Sequence, residues 1–432
     1  MKKLTALLLV LTFVSLALMS SCADKNVSGD ESKSKDNVSY GSGKALAEMF
    51  PDKDGIEKTE TPVIVETRIA EAGRNIYAGN CEDGATIFVE YNGKLLKSTK
   101  SIDGNFIIEI NPSVATSPWD LKIYAKTDDK NLSEPVDEKA DLGPVQDSEF
   151  AGYVWVGKDF RLFFTATEKQ FLKTELLSNE RITKLTERTK QRVKSLEENG
   201  AELIYVIIPN PNSVYPEFMP EGLERPEGVS LIDQAETALT AGGATVINMT
   251  KTLLAHKNDS FPIYMRTDSH WTEYGAYLAY EKLMEKISER FPNSAPRKID
   301  DFGFALDEKF VGDLYYDLGM DLTQFTEKTV FSNLGFETPF TSKKYKDGEI
   351  RIDEETMKEI TLTNTKMSDG PDVYIMRDSY SVMMIDFLAE RCGRTYFKPL
   401  WEFKFESDAI SAFKPDYVIY IITEMNIPNI AK

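Results

Sequence analysis

Two unbroken apolar runs, Leu203-Ile-Tyr-Val-Ile-Ile208 and Tyr417-Val-Ile-Tyr-Ile-Ile-Thr423, constrain this chain more than any other feature. A strand with one face in water alternates apolar and polar residues, whereas a strand apolar at successive positions is covered on both faces. Covering both faces takes helices above and below, and the sequence between the runs supplies them. Glu168 to Asn199 reads as a long helix with Ile182, Leu185, Thr189, Val193 and Leu196 on one face, and Gly200 stands where a left-handed cap is expected. Ser230 to Thr240 and Glu273 to Glu289 read as further helices, the latter with Ala276, Tyr280, Leu283, Met284 and Ile287 inward. Thr245-Val-Ile-Asn248 and Asp372-Val-Tyr-Ile-Met376 read as shorter strands, and Gly157 to Phe164 as a hairpin. Alternating helices and apolar strands predict an α/β domain over residues 150–432, a three-layer arrangement around a parallel sheet. Residues 295–365 break the pattern and are expected to form an irregular insertion bordering the site.

The N-terminal part follows other rules. Residues 59–140 carry short alternating strands (Pro62–Ile69, Ala85–Tyr91, Asn105–Ile110, Asp120–Ala125), with Asn92-Gly93 and Asp103-Gly104 as turn signals. They predict a small β-sandwich. Residues 22–58 are polar and charged, too poor in apolar surface to order themselves, and are expected to be a tether. Met1-Lys2-Lys3 followed by the apolar run Leu4–Leu18 and small residues before Cys22 reads as a signal peptide over residues 1–21. It resembles a bacterial lipoprotein signal, with Cys22 as the lipidated residue that holds the protein at a membrane; the other reading is an ordinary cleaved signal. No later segment is apolar for the ~20 residues a membrane-spanning helix needs. Cys81 and Cys392 fall in different domains, and both are expected to be free.

At 432 residues and a net charge of −19, the chain is long enough for two or three domains and would repel a phosphate backbone, which argues against nucleic acid as a partner. It has only two histidines, His256 and His270, and the second stands two residues after Asp268. A metal site needs three or four close ligands, which two histidines and distant cysteines do not supply, so neither metal nor cofactor is expected. His256, in Leu-Ala-His-Lys-Asn, reads as a surface residue. Sites in open α/β sheets gather at the carboxyl ends of strands. Three such ends offer complementary groups: Asp268 with His270, Ser379 where a strand turns into a helix, and Asn426 after the last apolar run. A serine hydroxyl needs an adjacent base, an imidazole can be that base, and a carboxylate fixes the imidazole tautomer. Ser379, His270 and Asp268 are therefore the candidate nucleophile, general base and orienting acid. The backbone N–H of Ser379, with Asn426, is the candidate oxyanion hole; Arg377, Tyr215 and Trp271 are candidate substrate-binding residues.

Asp378-Ser379 behind an apolar strand resembles the Gly-Asp-Ser block of SGNH esterases. Lys414-Pro-Asp-Tyr-Val-Ile resembles their third block, and Asp268-x-His270 followed by Gly275 their last. The Asp/His block here precedes the serine block, as in a circularly permuted flavodoxin-like fold. That order, with Asp268-x-His270-Trp-Thr, the Gly157-Lys-Asp-x-x-Leu-Phe hairpin and Ile208-Pro followed by Tyr215-Pro-Glu217, resembles the DHHW proteins and the alginate O-acetylation proteins over about residues 150–432. Ser269 departs from the DHHW pattern, Arg377 replaces the usual glycine of the serine block, Thr-Glu-Met-Asn426 replaces the third block's Gly-x-Asn-Asp, and Gly393 is the candidate for the second-block glycine. The N-terminal unit resembles bacterial immunoglobulin-like modules, which are spacers or sugar binders. The resemblance implies an extracytoplasmic serine O-acetyltransferase or acetylesterase acting on a polysaccharide or acetylated glycan, with a membrane-bound O-acyltransferase as acyl donor. The departures leave open an inactive glycan-binding or assembly lipoprotein.

Overall fold

The computed structural model describes residues 45–70, 73–112, 118–141, 151–320, 327–332, 340–342, 359–399 and 404–432. The signal segment with Cys22, most of the expected linker and much of the 295–365 insertion lie outside these. Strands β1 (Val63–Ala70), β2 (Arg74–Asn80) and β5 (Asn105–Ile110) form one antiparallel sheet; β3 (Thr86–Tyr91), β4 (Lys94–Lys100), β6 (Trp119–Lys126) and β7 (Val136–Ala140) form another. The two sheets bury Tyr77, Phe106 and Ile108 against Ile87, Val89, Leu121 and Ile123. Asn92 and Gly93 both take positive φ (51° and 70°), the geometry of a two-residue hairpin that matches strand twist. Asp103-Gly104 also turns with positive φ and closes a two-residue turn through the antiparallel bridge between Ile102 and Asn105, but the pairing goes no further because β4 and β5 on either side belong to different sheets. Residues 45–58, placed in the tether by composition, pack on the sandwich: Leu46 is buried with Phe88 and Leu132, and Asn131 bonds the backbone of Lys53 and Ile56.

β8 (Val154–Val156) and β9 (Leu162–Phe164) make the expected hairpin. The long helix read from Glu168 to Asn199 is broken. A single turn ends at Phe171, Lys173 adopts a left-handed conformation, and a new helix runs Asn179–Glu197 with the Ser178 hydroxyl accepting from the Arg181 N–H. Local capping chemistry overrode a face that looked continuous. The helix Leu231–Ala241 starts on a capping box between Ser230 and Asp233.

The central sheet has the order β11 (Thr245–Asn248), β10 (Glu202–Ile208), β18 (Tyr417–Thr423), β16 (Asp372–Arg377), β17 (Arg394–Pro399), β15 (Ile360–Asn364), β14 (Phe340–Ser342). The first five strands are parallel, and β15 and β14 add antiparallel at the β17 edge. The sheet is thus mixed: part of the expected insertion supplies its edge. β12 (Phe304–Phe310) and β13 (Glu327–Ser332) pair separately. Alternate residues of each central strand enter two cores. Ile204, Val206, Ile375 and Ile419 pack against the helices Glu273–Ser288 and Ile385–Arg391; Tyr205, Ile207, Met376 and Tyr420 pack against Asn179–Glu197, Leu231–Ala241 and Ser407–Phe413. The two longest apolar runs lie side by side in register, Glu202 beside Tyr417 and Ile208 beside Thr423, so their carboxyl ends coincide. No described helix is long and apolar enough to cross a membrane.

Candidate active site

Ser379 takes its place from the end of β16. Asp378 is extended and caps the turn Ser379–Met384, which continues as the helix Ile385–Arg391. The Asp378 N–H donates to the Ile421 carbonyl (3.1 Å), and its Oδ2 accepts from the Thr423 N–H (2.6 Å), the Thr423 hydroxyl (3.0 Å) and the Asn426 amide (3.0 Å). Asp378 therefore ties the serine turn to the tip of β18. Burial pushes its carboxyl up, and the bonds from Thr423 and Asn426 oppose that rise.

The Asp268–His270 segment sits on a loop that is not the tip of a sheet strand. A bridge between Tyr264 and Trp271, with the Thr272 N–H donating to the Ile263 carbonyl (3.0 Å) and Met265 N–H to the His270 carbonyl (3.2 Å), closes a narrow turn ahead of the helix Glu273–Ser288. Thr272 caps that helix by accepting from the Gly275 N–H. Gly275 has no room for a side chain, since a Cβ there would stand 2.3 Å from the Ile263 carbonyl oxygen. Glu327, buried on β13, accepts from the Arg266 N–H (2.7 Å) and from the Thr267 N–H (2.9 Å) and hydroxyl (2.6 Å), bracing the turn from outside.

The three candidate side chains meet. His270 Nε2 lies 2.8 Å from Ser379 Oγ, and His270 Nδ1 lies 2.8 Å from Asp268 Oδ1. The His270 N–H also donates to Asp268 Oδ1 (2.9 Å), so one carboxylate fixes both the backbone and the ring. Asp268 and His270 are buried, while Ser379 keeps partial exposure and is the member a substrate can approach. Burial alone would lower the His270 pKa, but the bond to and charge of Asp268, with Asp313 and Asp378, raise it overall. Burial would raise Asp268, and its bonds to His270 pull it below the ordinary carboxylate range instead. Such opposed shifts describe an anionic carboxylate beside an imidazole made more basic, as a general base requires.

Four expectations are corrected. Asn426 donates its amide to Asp378 Oδ2 and to Thr423 Oγ1 (3.2 Å), so its N–H groups support the serine turn and are not aimed at an oxyanion. Arg377 is completely enclosed. Tyr215 is buried, donates its hydroxyl to the Lys257 carbonyl (3.2 Å) and lies under the Arg161 guanidinium at 4.2 Å, a packing role. Trp271 is fully buried, and its indole N–H donates to the Tyr380 carbonyl (2.8 Å), linking the imidazole loop to the serine turn. These four are strand-end and loop residues of the right chemistry whose polar atoms point into the fold. Gly393 also drops out, because it precedes β17 at the opposite end of the sheet and its N–H bonds the Pro371 carbonyl (2.9 Å). The Ser379 N–H stays the candidate oxyanion donor, at the first position of a helical turn where backbone donors lack intrahelical partners. His256 is a surface residue, 2.7 Å from Asp259. Cys81 and Cys392 are both free.

Sequence reasoning missed Asp313. It follows Gly312 in the stretch read as irregular, and its carboxylate accepts from the Ser269 N–H (2.7 Å) and hydroxyl (2.6 Å). The signal was an acid directly after a glycine, a common pattern in loops. Asp268, His270 and Asp313 hold ligand atoms within 4.8 Å of one another. Asp268 Oδ1 and Oδ2 are taken by His270 and by the Asp313 N–H (3.0 Å), and both Asp313 oxygens by Ser269. This cluster is a hydrogen-bond network of Asp268, Ser269, His270 and Asp313.

An α/β sheet with a serine at a strand end, joined to an imidazole and a carboxylate on an adjacent loop, is the arrangement of an SGNH-like fold. The chain belongs to the family described as "SGNH hydrolase-like domain, acetyltransferase AlgX", whose model matches residues 154–371, just over half of it. Asp268, His270 and Asp313 fall inside that match, and Ser379 falls beyond it. The chain is 28% identical over 98 residues to the "Probable alginate O-acetylase AlgJ" of Pseudomonas syringae pv. tomato, covering 23% of this chain and 25% of that protein. It is 27% identical over 152 residues to the protein of the same name in Pseudomonas putida, covering 32% and 38%. The chain thus matches well under half the length of these curated relatives. Among solved structures, a DHHW family protein from Eubacterium siraeum aligns with 16% identity and a TM-score of 0.44 over 71% of this chain and 91% of its own. The O-acetyltransferase domain of Pseudomonas putida AlgJ aligns with 18% identity and a TM-score of 0.40 over 64% and 92%.

Proposed function

We propose that this protein is an extracytoplasmic serine O-acetyltransferase or acetylesterase acting on a cell-surface or exopolysaccharide. The observation that carries the reading is the continuous Ser379–His270–Asp268 hydrogen-bond chain, 2.8 Å at each link. His270 Nε2 takes the proton as Ser379 Oγ attacks an acetyl carbonyl, and Asp268 stabilises the resulting imidazolium. The Ser379 N–H, at a helical N-terminus, faces the developing oxyanion, a contribution of about 3–4 kcal/mol per donor. Collapse of the tetrahedral adduct breaks the bond to the donor oxygen, which leaves with the proton from His270, and the acetyl group stays on Ser379. A sugar hydroxyl or water then gives up its proton to His270, attacks the acetyl-serine and frees Ser379 Oγ. A sugar acceptor makes the enzyme a transferase, and water makes it an esterase. The family and the relatives named as alginate O-acetylases favour a glycan acceptor; the acetyl donor in this proposal is a membrane-bound O-acyltransferase.

The test is acetyl release from an activated aryl acetate by wild type, Ser379→Ala and His270→Ala. The reading requires both variants to lose the activity, and equal rates in all three would refute it. The N-terminal segment supports membrane anchoring through lipid on Cys22, with the sandwich as a spacer; palmitate incorporation that persists in Cys22→Ser would exclude the anchor.

A further inference from the structure

Ser269 stands where the DHHW pattern has a histidine, and the structure gives that serine a task. Its hydroxyl lies 3.2 Å from His270 Nδ1 and donates to Asp313 Oδ2 at 2.6 Å. Asp313 Oδ2 is itself 3.8 Å from Nδ1. The imidazole edge that faces Asp268 therefore faces a second acid through a hydroxyl. The two carboxylates are also interlocked, because the Asp313 N–H donates to Asp268 Oδ2 while the Asp313 carboxylate holds Ser269, the residue between Asp268 and His270. Only a glycine at position 312 permits the approach, since a Cβ there would lie 2.2 Å from the Thr267 carbonyl.

We infer that Asp313 is a positioning residue for acyl transfer: through the Ser269 hydroxyl it forms a second relay onto Nδ1 of His270, parallel to that of Asp268. This rests on the triad reading of Ser379, His270 and Asp268.

A proton removed from Ser379 Oγ places a positive charge on a ring that is almost wholly buried. One carboxylate offsets that charge directly. A second would repel the first if both were ionised beside a neutral imidazole, and adjacent buried carboxyls resolve this by sharing a proton. Burial and the Asp268 charge push Asp313 up to about 8, against the opposing pull of a charged His270 and of the Ser269 hydroxyl. Asp313 thus holds its proton near neutral pH while the ring is neutral, and its acidity grows as the ring charges. The other groups facing this cluster are Asp317, pushed up to about 7 by burial and Asp268, Asp378 beside the serine turn, and Tyr380, whose hydroxyl donates to the Ser269 carbonyl.

With two histidines in the chain, a His256→Gln background leaves one imidazole to follow by nuclear magnetic resonance. In that background, Asp313→Asn and Ser269→Ala should each move the His270 titration midpoint down. The acid limb of the kcat/KM profile for an aryl acetate should move with it. Asp313→Ala should lose on the order of 100-fold in kcat at unchanged KM, as expected for a misplaced base. Asp313→Asn should recover part of that loss, because its amide oxygen still accepts from Ser269. A midpoint unmoved in both Asp313→Asn and Ser269→Ala overturns the inference. Ser269→Ala leaves every Asp313 backbone bond in place and decides the matter alone if the Asp313 variants do not fold. Ser379→Ala separates the two readings. If it matches wild type, the triad reading fails and the imidazole titration still decides on Asp313; if it is inactive while the midpoint stays put, only the Asp313 inference fails.

Discussion

Gly312→Ala puts one methyl group where the architecture has no space. Gly312 has φ −84° and ψ 167°, an extended conformation open to any residue, so the requirement for glycine is purely one of volume. The new Cβ would lie 2.2 Å from the carbonyl carbon and oxygen of Thr267 and 2.5 Å from the Asp268 nitrogen. All three atoms are backbone, and ordinary contact begins near 3.4 Å, so the two segments must part by about 1.2 Å. Of the bonds that cross that seam, three lie at the point of closest approach: Gly312 N–H to the Thr267 hydroxyl, Asp313 N–H to Asp268 Oδ2 and Leu314 N–H to the Thr267 carbonyl, each 3.0 Å. At about 1 kcal/mol net apiece, their loss destabilises the protein by roughly 3 kcal/mol. If the loop moves instead of the helix Asp313–Asp317, the imidazole shifts by about 1 Å from Ser379, worth about 100-fold in kcat. Urea unfolding and aryl acetate turnover, measured on the same preparation, read both outcomes. A variant within about 0.5 kcal/mol of wild-type stability and within about twofold of its kcat would refute the close-approach argument.

Trp271→Phe keeps an aromatic ring but leaves the Tyr380 carbonyl without the indole N–H that reaches it at 2.8 Å. A stability loss of about 1–3 kcal/mol is expected by chemical denaturation, together with a lower kcat, because this bond joins the base loop to the nucleophile turn; unchanged values for both would remove Trp271 from the scaffold of the site. Asp386, on the helix that follows Ser379, is pushed up to about 7 by burial and the charge of Glu273. Its folded pKa exceeds the unfolded value of 3.8, so the stability linked to its proton is complete below about pH 4 and is lost as pH rises through about 7. Asp386→Asn should therefore stabilise the protein at pH 8, by roughly 2–4 kcal/mol at most, and leave it nearly unchanged at pH 4. Equal melting shifts at the two pH values would show that burial of this charge is not the cause.

Periodicity made the helices and strands legible wherever burial repeats along the chain. Leu203–Ile208 and Tyr417–Thr423 could be nothing but strands covered on both faces, and the structure lays them side by side. The Glu168–Asn199 helix was overextended because a stripe of apolar residues says which face is buried but not where a cap interrupts it; Ser178 supplied the interruption. The antiparallel strands β14 and β15 escaped because three and five residues are too short a run to show a period, and their direction is set by the pairing of β15 with β17 and of β14 with β15.

The sequence by itself determined the kinds of groups present: a serine after an Asp at a strand end, one histidine two residues from an acid, and the apolar strands that hold them. It could assign their chemistry because proton affinity and nucleophilicity belong to residue types. Which way a polar side chain points is decided by packing across more than a hundred residues of chain. Asn426, Arg377, Tyr215 and Trp271 had suitable chemistry and suitable positions, and the fold turned all four to internal use. Asp313 showed no catalytic pattern, and the tertiary structure brought it to Ser269 through a seam that only Gly312 leaves open. Local sequence specifies the groups; the approach of distant backbones specifies which of them share a proton.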